Sequence, residues 1–383
     1  MRIPCSIIRG GTSKAVFFNE KDLPEDRALR ERIILRAFGS PDARQIDGLG
    51  GANSLTSKVA IIGKPQGEES AVNYTFGQVS VTSRVIDWTG NCGNISSAVG
   101  MYAIDAGLVP PPEGDQATVK IYNTNTSKNI YVTMPVKNGK IRTEGDLIIP
   151  GTVYPGAPFL VEFEYPAGSV TGKLLPTGNA SDLLEIDGLG AFHYSFVDAG
   201  NPVVFLLAEE LGLSGTELPE QVEKMQDTLG TIEAIRARVA VAAGIAADPG
   251  SATAKSPAIP KIGFVSKPRD YVSSLGKNID GGSVDLVARL ASMQKMHRAY
   301  MVTGAVATAV ASQIEGSVVW SVTRDRAKGA SRIFIGQPYG PMEVSVEARE
   351  AGGEIVFSKA GVMRTARRIS DGFVYVPACD VGL

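Results

Sequence analysis

The sequence predicts an α/β protein built from two similar halves, and three observations carry that expectation. The chain has 383 residues, too many for one average domain and enough for two with sizeable cores. Strand and helix signals alternate along it. Two local matches recur in the same order. "GGTSKAVFFNEKDL" from Gly10 resembles "AGNPVVFLLAEEL" from Ala199, and "KVAIIGKP" (Lys58 to Pro65) matches "KIGFVSKP" (Lys261 to Pro268) without a gap. A helix of small residues follows in each half, after Cys92 in one and from Thr303 in the other. A duplicated α/β chain buries its repeats face to face, and the cleft between them is the expected ligand site. The division is expected between 1–188 and 189–383, with the terminal strand able to return to the first domain.

"CSIIRGG" and "KAVFFN" read as strands around a Gly-Gly turn. "LPEDRALRERIILRAFG" reads as a helix, with Pro24 near its first turn and Gly39 as its stop. "KVAIIGKP" and "YTFGQVSVTSRVIDW" read as strands, and "GNISSAVGMYAIDAGL" as a buried helix of small residues. "ATVKIYNTNTSKNIYVTMPVKNGKI" is a strand pair with a polar middle and a turn at Asn138-Gly139. "GTELPEQVEKM" and "TIEAIRARVAVAAGIA" read as helical. "GSVVWSVT", "SRIFIG" and "MEVSVEA" return to strands, and "MQKMHRAY" reads as helical.

Composition narrows the function. Forty acidic residues face thirty-eight basic ones, and no block of five or more lysines and arginines occurs. That argues against nucleic-acid binding. No apolar run is long enough for a membrane span, and "MRIPCSIIRGG" lacks the apolar region of a signal peptide. Three widely spaced cysteines, Cys5, Cys92 and Cys379, point to a reducing compartment, hence a cytoplasmic protein. The two histidines, His193 and His297, cannot build a His/Cys metal cluster of ordinary spacing. No metal and no cofactor is expected.

Two residues stand out. Cys92 lies in "WTGNCGNISSAVG", where Gly90, Asn91, Gly93 and Asn94 make a tight turn before a helix. A helix N-terminus favours an anion, either a thiolate or a substrate carboxylate. Free cysteines are more often small buried hydrophobes, and Cys5 and Cys379 take that reading. Lys58 opens the strand "VAIIG" after the glycine-rich "IDGLGGANSLTSK". Lysines at strand ends are mostly solvated, but one held among apolar walls would be neutral enough to act as a base. "RGGTSK" (Arg9 to Lys14) offers Thr12 and Ser13 to an oxyanion and lacks the order of a P-loop. "TNTS" from Thr124 and "TGN" (Thr177, Gly178, Asn179) are polar turns able to meet a carboxylate. The combination suits proton transfer beside a carboxylate.

At these residues the chain resembles the PrpF-type isomerases. "RIPC", "RGGTSK", "GSPDARQIDGLGGANSLTSKVAIIG", "GNCGNI", "LLPTGN" and "RTAR" carry the resemblance, which runs essentially end to end. It implies the diaminopimelate epimerase fold: two similar α/β domains, each wrapping sheet around a central helix, with the active site between them. It implies a cofactor-independent shift of a C=C bond in a small unsaturated di- or tricarboxylate by an allylic proton transfer. The activities implied are 3-methylitaconate Δ-isomerase, 2-methylaconitate isomerase and 4-oxalomesaconate tautomerase; "YNTNTSKN" and "MQKMHRAYMVTG" are most similar to the first branch. Lys58 and Cys92 match the catalytic lysine and cysteine, Ser13 a substrate-side serine, and His297 a histidine from the second domain. Thr12, Asn53, Gly93, Asn94, Gly178, Asn179, Thr303 and Gly304 are the further substrate contacts expected. True epimerases of this fold carry a second cysteine where this chain reads "VTGAVATA", so two-cysteine racemisation is not expected. A homodimer or homotetramer is expected. The competing reading is a non-catalytic helper of an aconitase-like enzyme, which would need neither Lys58 nor Cys92.

Overall fold

The structure is a computed structural model that describes residues 1–65, 70–351 and 354–382. In chain order the strands and helices begin β1 (Arg2–Gly10), β2 (Ser13–Asn19), α1 (Arg27–Phe38), β3 (Lys58–Gly63), β4 (Val72–Val79), β5 (Ile86–Asp87) and α2 (Gly93–Asp105). Next are β6 (Gln116–Asn123), β7 (Lys128–Lys137), β8 (Lys140–Ile141), β9 (Phe159–Glu164), β10 (Asp182–Ile186), β11 (Gly190–Ala199) and β12 (Asn201–Leu207). There follow α3 (Pro219–Lys224), α4 (Gln226–Ala242), α5 (Pro249–Lys255), β13 (Lys261–Ser266), β14 (Tyr271–Val272), β15 (Asn278–Ile279), β16 (Leu286–Ser292) and β17 (Lys295–Met296). The chain closes with α6 (Val302–Ala311), α7 (Val318–Val322), β18 (Arg332–Gln337), β19 (Gly340–Ala351), β20 (Glu354–Arg364) and β21 (Ala366–Tyr375).

Two compact units result. One comprises 1–162 and 363–383, the other 163–362. The division falls before the 188/189 boundary expected from sequence, and β10, which pairs antiparallel with β11, lies with it in the second unit. In the first unit β21, β1, β2, β3, β4, β6 and β7 are successive neighbours, with β2–β3 and β4–β6 parallel and the other neighbouring pairs antiparallel. In the second unit β10, β11, β12, β13, β16, β18 and β19 repeat that order and those directions. The registers agree as well. Val16 faces Val59 in the first unit and Val204 faces Ile262 in the second, each partner one residue after its lysine, Lys58 or Lys261. Two units with one topology, each with its sheet packed on a central helix, are the fold the resemblance implies.

Those central helices explain the small-residue runs. Eleven of the thirteen residues of α2 and all ten of α6 are buried. A Cβ on Gly100 would sit 2.8 Å from Met134 Cε, so the strand–helix spacing depends on glycine there. On the outer faces, α1 packs Ile33, Ile34 and Phe38 onto Val16, Phe18, Val59 and Ile61. In the second unit α4 packs Ile235 and Val239 onto Val204, Leu206, Ile262 and Phe264. Each such fully buried side chain contributes about 1.5–3 kcal/mol. Both helices lie in crossovers between parallel strands, which a short turn could not join.

Local details differ from the sequence reading in three places. The cap of α1 is Asp26, whose carboxylate accepts the Leu29 amide at 2.7 Å, two residues beyond Pro24; Gly39 closes the helix with φ +71°. "GSVVWSVT" is the helix α7, because the Ser317 hydroxyl accepts the Trp320 amide as an N-cap and Val318, Val319 and Val322 fall on one buried side. Here the cap outweighs the strand preference of valine. His297 follows strand β17 in extended chain, with its amide bonded to Leu290 O at 2.8 Å, and is not helical.

Candidate active site

Cys92 is the N-cap of α2, with extended φ/ψ of −119° and 96°, and its side chain makes no capping bond. Its carbonyl accepts the first helical bond, from Ser96 N at 2.9 Å. The amides of Gly93, Asn94 and Ile95 therefore have no partner within the helix. The Gly10-Gly11 turn between β1 and β2 lies directly against this end. A Cβ on Gly10 would meet Asn94 O at 2.4 Å, and one on Gly11, where φ is +52°, would meet Asn94 Oδ1 at 2.1 Å. Only glycine allows that approach. Asn94 then ties the turn to the helix, donating to Thr12 Oγ1 at 3.1 Å and accepting from Thr12 N at 3.4 Å. Ser13 follows, buried, and its hydroxyl has no hydrogen-bond partner among the described residues.

Lys58 reaches the same region from β3. Lys14 N bonds Leu55 O at 2.9 Å, which sets the β1–β2 turn beside the loop that enters β3. Lys58 is buried, and burial pushes its amine below the ordinary lysine value, while Cys92 nearby opposes the shift. The ammonium donates to Gln78 Oε1 at 2.5 Å and lies 5.2 Å from the centre of the Phe76 ring. Gln78 cannot turn round: its Nε2 donates to Ser57 O at 2.9 Å and Ser54 O at 3.2 Å, which leaves only its oxygen for Lys58. The lysine is thus held by a neutral acceptor.

The glycine-rich approach has a different cause from the close ligand approach that its composition suggests. Buried Gln45, at φ 45°, donates to Ser40 Oγ and Ser57 Oγ and accepts from Ala52 N. A Cβ on Gly50 would meet the Gln45 amide at 2.2 Å, and one on Gly51 would meet Thr56 Oγ1 at 2.4 Å. The glycines make room for the loop's own side chains, and the loop holds Ser57 under Gln78. Asn53 sits on its exposed surface, its side chain closing a turn onto Leu55 N. The "TNTS" turn is also structural: Asn125 spends its amide on Phe76 N, Phe76 O and Trp88 O.

In the second unit, Thr303 and Gly304 lie in the first turn of α6. Thr303 Oγ1 accepts from Asn201 Nδ2 at 2.9 Å, repeating the Asn94–Thr12 tie. By that correspondence Met301, the N-cap of α6, stands where Cys92 stands in the first unit. Gly304 is fixed by packing, since a Cβ would come 2.2 Å from Leu290 Cδ1. His297 is buried, and its Nδ1 accepts the Ala299 amide at 3.2 Å, which places a ring proton on Nε2. Gly178 (φ +86°) and Asn179 form an exposed turn closed by Asn179 Nδ2 on Asp182 at 2.7 Å. The structure therefore brings Thr12, Ser13, Lys58, Cys92, Gly93 and Asn94 together in one unit and places His297, Thr303 and Gly304 around the matching helix of the other. Asn53, Gly178 and Asn179 lie on exposed turns.

Three residues of this site escape sequence reading. Gln78 sits in an ordinary strand. Arg364, within "RTAR", is buried, donates to Asn94 Oδ1 at 3.1 Å, and has its guanidinium pushed down to about 10 by burial. Its position is recoverable only once the terminal segment is seen to return to the first unit. Tyr74 is fully buried on β4; burial, with Cys92 adding to it, holds its phenol well above the usual range, and its hydroxyl makes no hydrogen bond of good geometry among the described residues. Among the described residues no cluster of three His, Cys, Asp or Glu could hold a metal ion.

The cysteines separate by environment. Cys5 is half-buried with its thiol pushed up by burial, and Cys379 is exposed near the end of the chain, not packed inside. A dicarboxylate bound at the start of α2 is therefore expected to slow alkylation of Cys92 at least several-fold and to leave Cys379 unchanged. Mass-spectrometric site mapping reads both at once. Equal rates with and without the acid would make Cys92 a packing residue.

The chain matches the family described as PrpF protein over residues 1–377. It is 46% identical over 377 residues to a 3-methylitaconate isomerase of Eubacterium barkeri, covering 98% of this chain and 97% of that protein. It is 39% identical over 389 residues to a 2-methyl-aconitate isomerase of Shewanella oneidensis, covering 98% and 97%. A crystal structure of a methylitaconate-delta-isomerase is 44% identical, covers all of this chain with 97% of its own, and superposes with a TM-score of 0.79.

Proposed function

Because the chain belongs to the PrpF family, we propose that it is an isomerase moving the C=C bond of a small unsaturated di- or tricarboxylate, with a 3-methylitaconate-type acid as its substrate. The observation that carries the reading is the buried Lys58, its amine lowered by desolvation and held by a neutral amide, beside a thiol at a helix start. A 2-methylaconitate or 4-oxalomesaconate substrate is the alternative within the same chemistry. A pure helper of another enzyme has no use for a buried amine, which costs stability.

In the proposed reaction neutral Lys58 removes a proton from the allylic carbon. The electron pair shifts into the C–C bond, the double bond moves, and charge spreads onto the adjacent carboxylate. The first-turn amides of Gly93, Asn94 and Ile95, which a helix start leaves without intrahelical partners, hold that carboxylate and favour the developing charge. Ser13 supplies its unpartnered hydroxyl. The proton returns to the far carbon of the allyl unit, from Lys58 or from the Cys92 thiol. His297, Thr303 and Gly304 are proposed as carboxylate contacts from the second repeat, on the strength of the resemblance. Met301 at the second cap has no acidic proton, which disfavours two-thiol racemisation. No helix is long and apolar enough to cross a membrane among the described residues; a cytoplasmic homo-oligomer is the proposed setting.

Proton NMR in D₂O tests the reading. The purified protein is expected to exchange allylic protons of at least one of itaconate, methylitaconate, 2-methylaconitate and 4-oxalomesaconate. Silence across the panel, with binding to an aconitase-like protein, would favour the helper.

A further inference from the structure

Two motifs that the proposed reaction leaves largely unused, "RGGTSK" and "RTAR", are brought together by the sheet. In β1, Arg9 lies directly opposite Lys14 of β2 on one side and Arg367 of β21 on the other. Paired residues in antiparallel strands share a face, so three cations stand in a row across three strands. Like charges directly opposite one another are destabilising. Arg9 shows the cost: burial first, and Arg367 second, push its guanidinium below the ordinary value. Among the described residues its Nη1 bonds only carbonyl and hydroxyl oxygens, those of Gly11 and Thr365. The Lys14 and Arg367 side chains make no hydrogen bond or ion pair among the described residues.

The three cations line one open cavity of about 920 Å³, within the size range of small-molecule sites. Arg368 also lines it, and so do two acids, Asp105 and Glu144. Asp105 is already paired with Arg368, and Glu144 has no ion pair among the described residues. The lining therefore carries a surplus of two positive charges in a chain whose formal net charge is −2. Thr12, Ser13 and Thr56 also form part of the wall. Neither Lys58 nor Cys92 lines it.

We propose that this cavity is a binding site for a small polyanion, a molecule with two or more carboxylate or phosphate groups, held by the Arg9–Lys14–Arg367 row and separate from the Lys58–Cys92 pair. An anion between the three strands relieves the repulsion that the register imposes. Ser13 and Thr12 border the cavity, and Thr12 is tied to Asn94, so occupancy is felt at the start of α2.

The test measures binding directly and does not depend on the isomerase reading. Thermal unfolding of the whole chain is followed against tricarballylate, a saturated tricarboxylate with no C=C bond to move, and against pyrophosphate, at constant ionic strength. A ligand that binds only the folded chain raises the midpoint in a saturable way. Wild-type protein is expected to saturate with at least one probe, and the tighter one identifies the class. Lys14→Gln and Arg367→Gln change residues that reach solvent, and each is expected to weaken binding about tenfold, as loss of a charged hydrogen bond does. Lys58→Ala is expected to bind as wild type. The proposal is overturned by no saturable shift with either probe, by unchanged affinity in both charge variants, or by loss of binding in Lys58→Ala, which would place the anion in the catalytic centre.

Discussion

Lys58→Ala is expected to lose roughly 10²–10⁴-fold in kcat, the contribution of a positioned general base, while Lys261→Ala keeps most of the activity. The duplication makes this comparison sharp, because the two lysines are structural equivalents: each opens a buried strand and each precedes the residue that faces the same valine position of the parallel neighbour. Their surroundings differ. Across the antiparallel pair Lys58 faces Gln78, whereas the register of β13 with β16 sets Ser292 in that place. Cys92 caps the central helix of one repeat and Met301 that of the other. Lys58→Arg is expected to be nearly as poor as alanine, since a guanidinium stays protonated and cannot accept the proton.

Lys58→Met separates loss of chemistry from loss of fold. A lysine whose folded value is lowered destabilises the fold fully at pH below that value, and the cost fades as pH rises toward the unfolded value of about 10.4. Replacing it with an apolar side chain of similar volume is therefore expected to raise the unfolding midpoint at neutral pH while activity is lost. Steady-state rates and melting curves of these variants on one confirmed substrate decide it. Normal kcat in Lys58→Ala with a dead Lys261→Ala would move the base to the other repeat.

How much of this was legible in the sequence follows from the range of each interaction. The repeat was readable because it rests on local strings, "KVAIIGKP" and "KIGFVSKP", whose strand periodicity needs no partner. The helix start at Cys92 was readable from Gly and Asn around it. Gln78 was not, because its importance comes from a register that sets it opposite Lys58, twenty residues away. Arg364 was hidden for the same reason at greater distance, 270 residues from Asn94. "GSVVWSVT" misled because β-branched residues speak for strands, while a single serine cap and burial on one side decide for a helix. Asn53 and Asn179, expected as substrate contacts, both close their turns with their own side chains. Turn-forming and ligand-binding asparagines look alike in one dimension.

Gln78→Glu is expected to shift the pH dependence of the reaction. The wild-type amide offers Lys58 an uncharged oxygen at 2.5 Å, so the buried ammonium gains no carboxylate to offset its desolvation. A glutamate in the same place puts an opposite charge in direct contact, which favours the protonated lysine and raises its value by about one to three units. The reaction needs the neutral amine. The acid limb of kcat/KM is therefore expected to move to higher pH by that amount, and the rate at neutral pH to fall about tenfold per unit. Activity should return as the pH is raised past the new value. The carboxylate also turns an oxygen toward Ser54 O and Ser57 O, where the amide donated, so some stability is lost; a lower melting point alone scales activity but does not move a pH limb. Gln78→Leu supplies the contrast, since it removes the acceptor without adding charge and leaves the limb at or below its wild-type position. If the limb stays in place in Gln78→Glu, the group that titrates in catalysis is not Lys58.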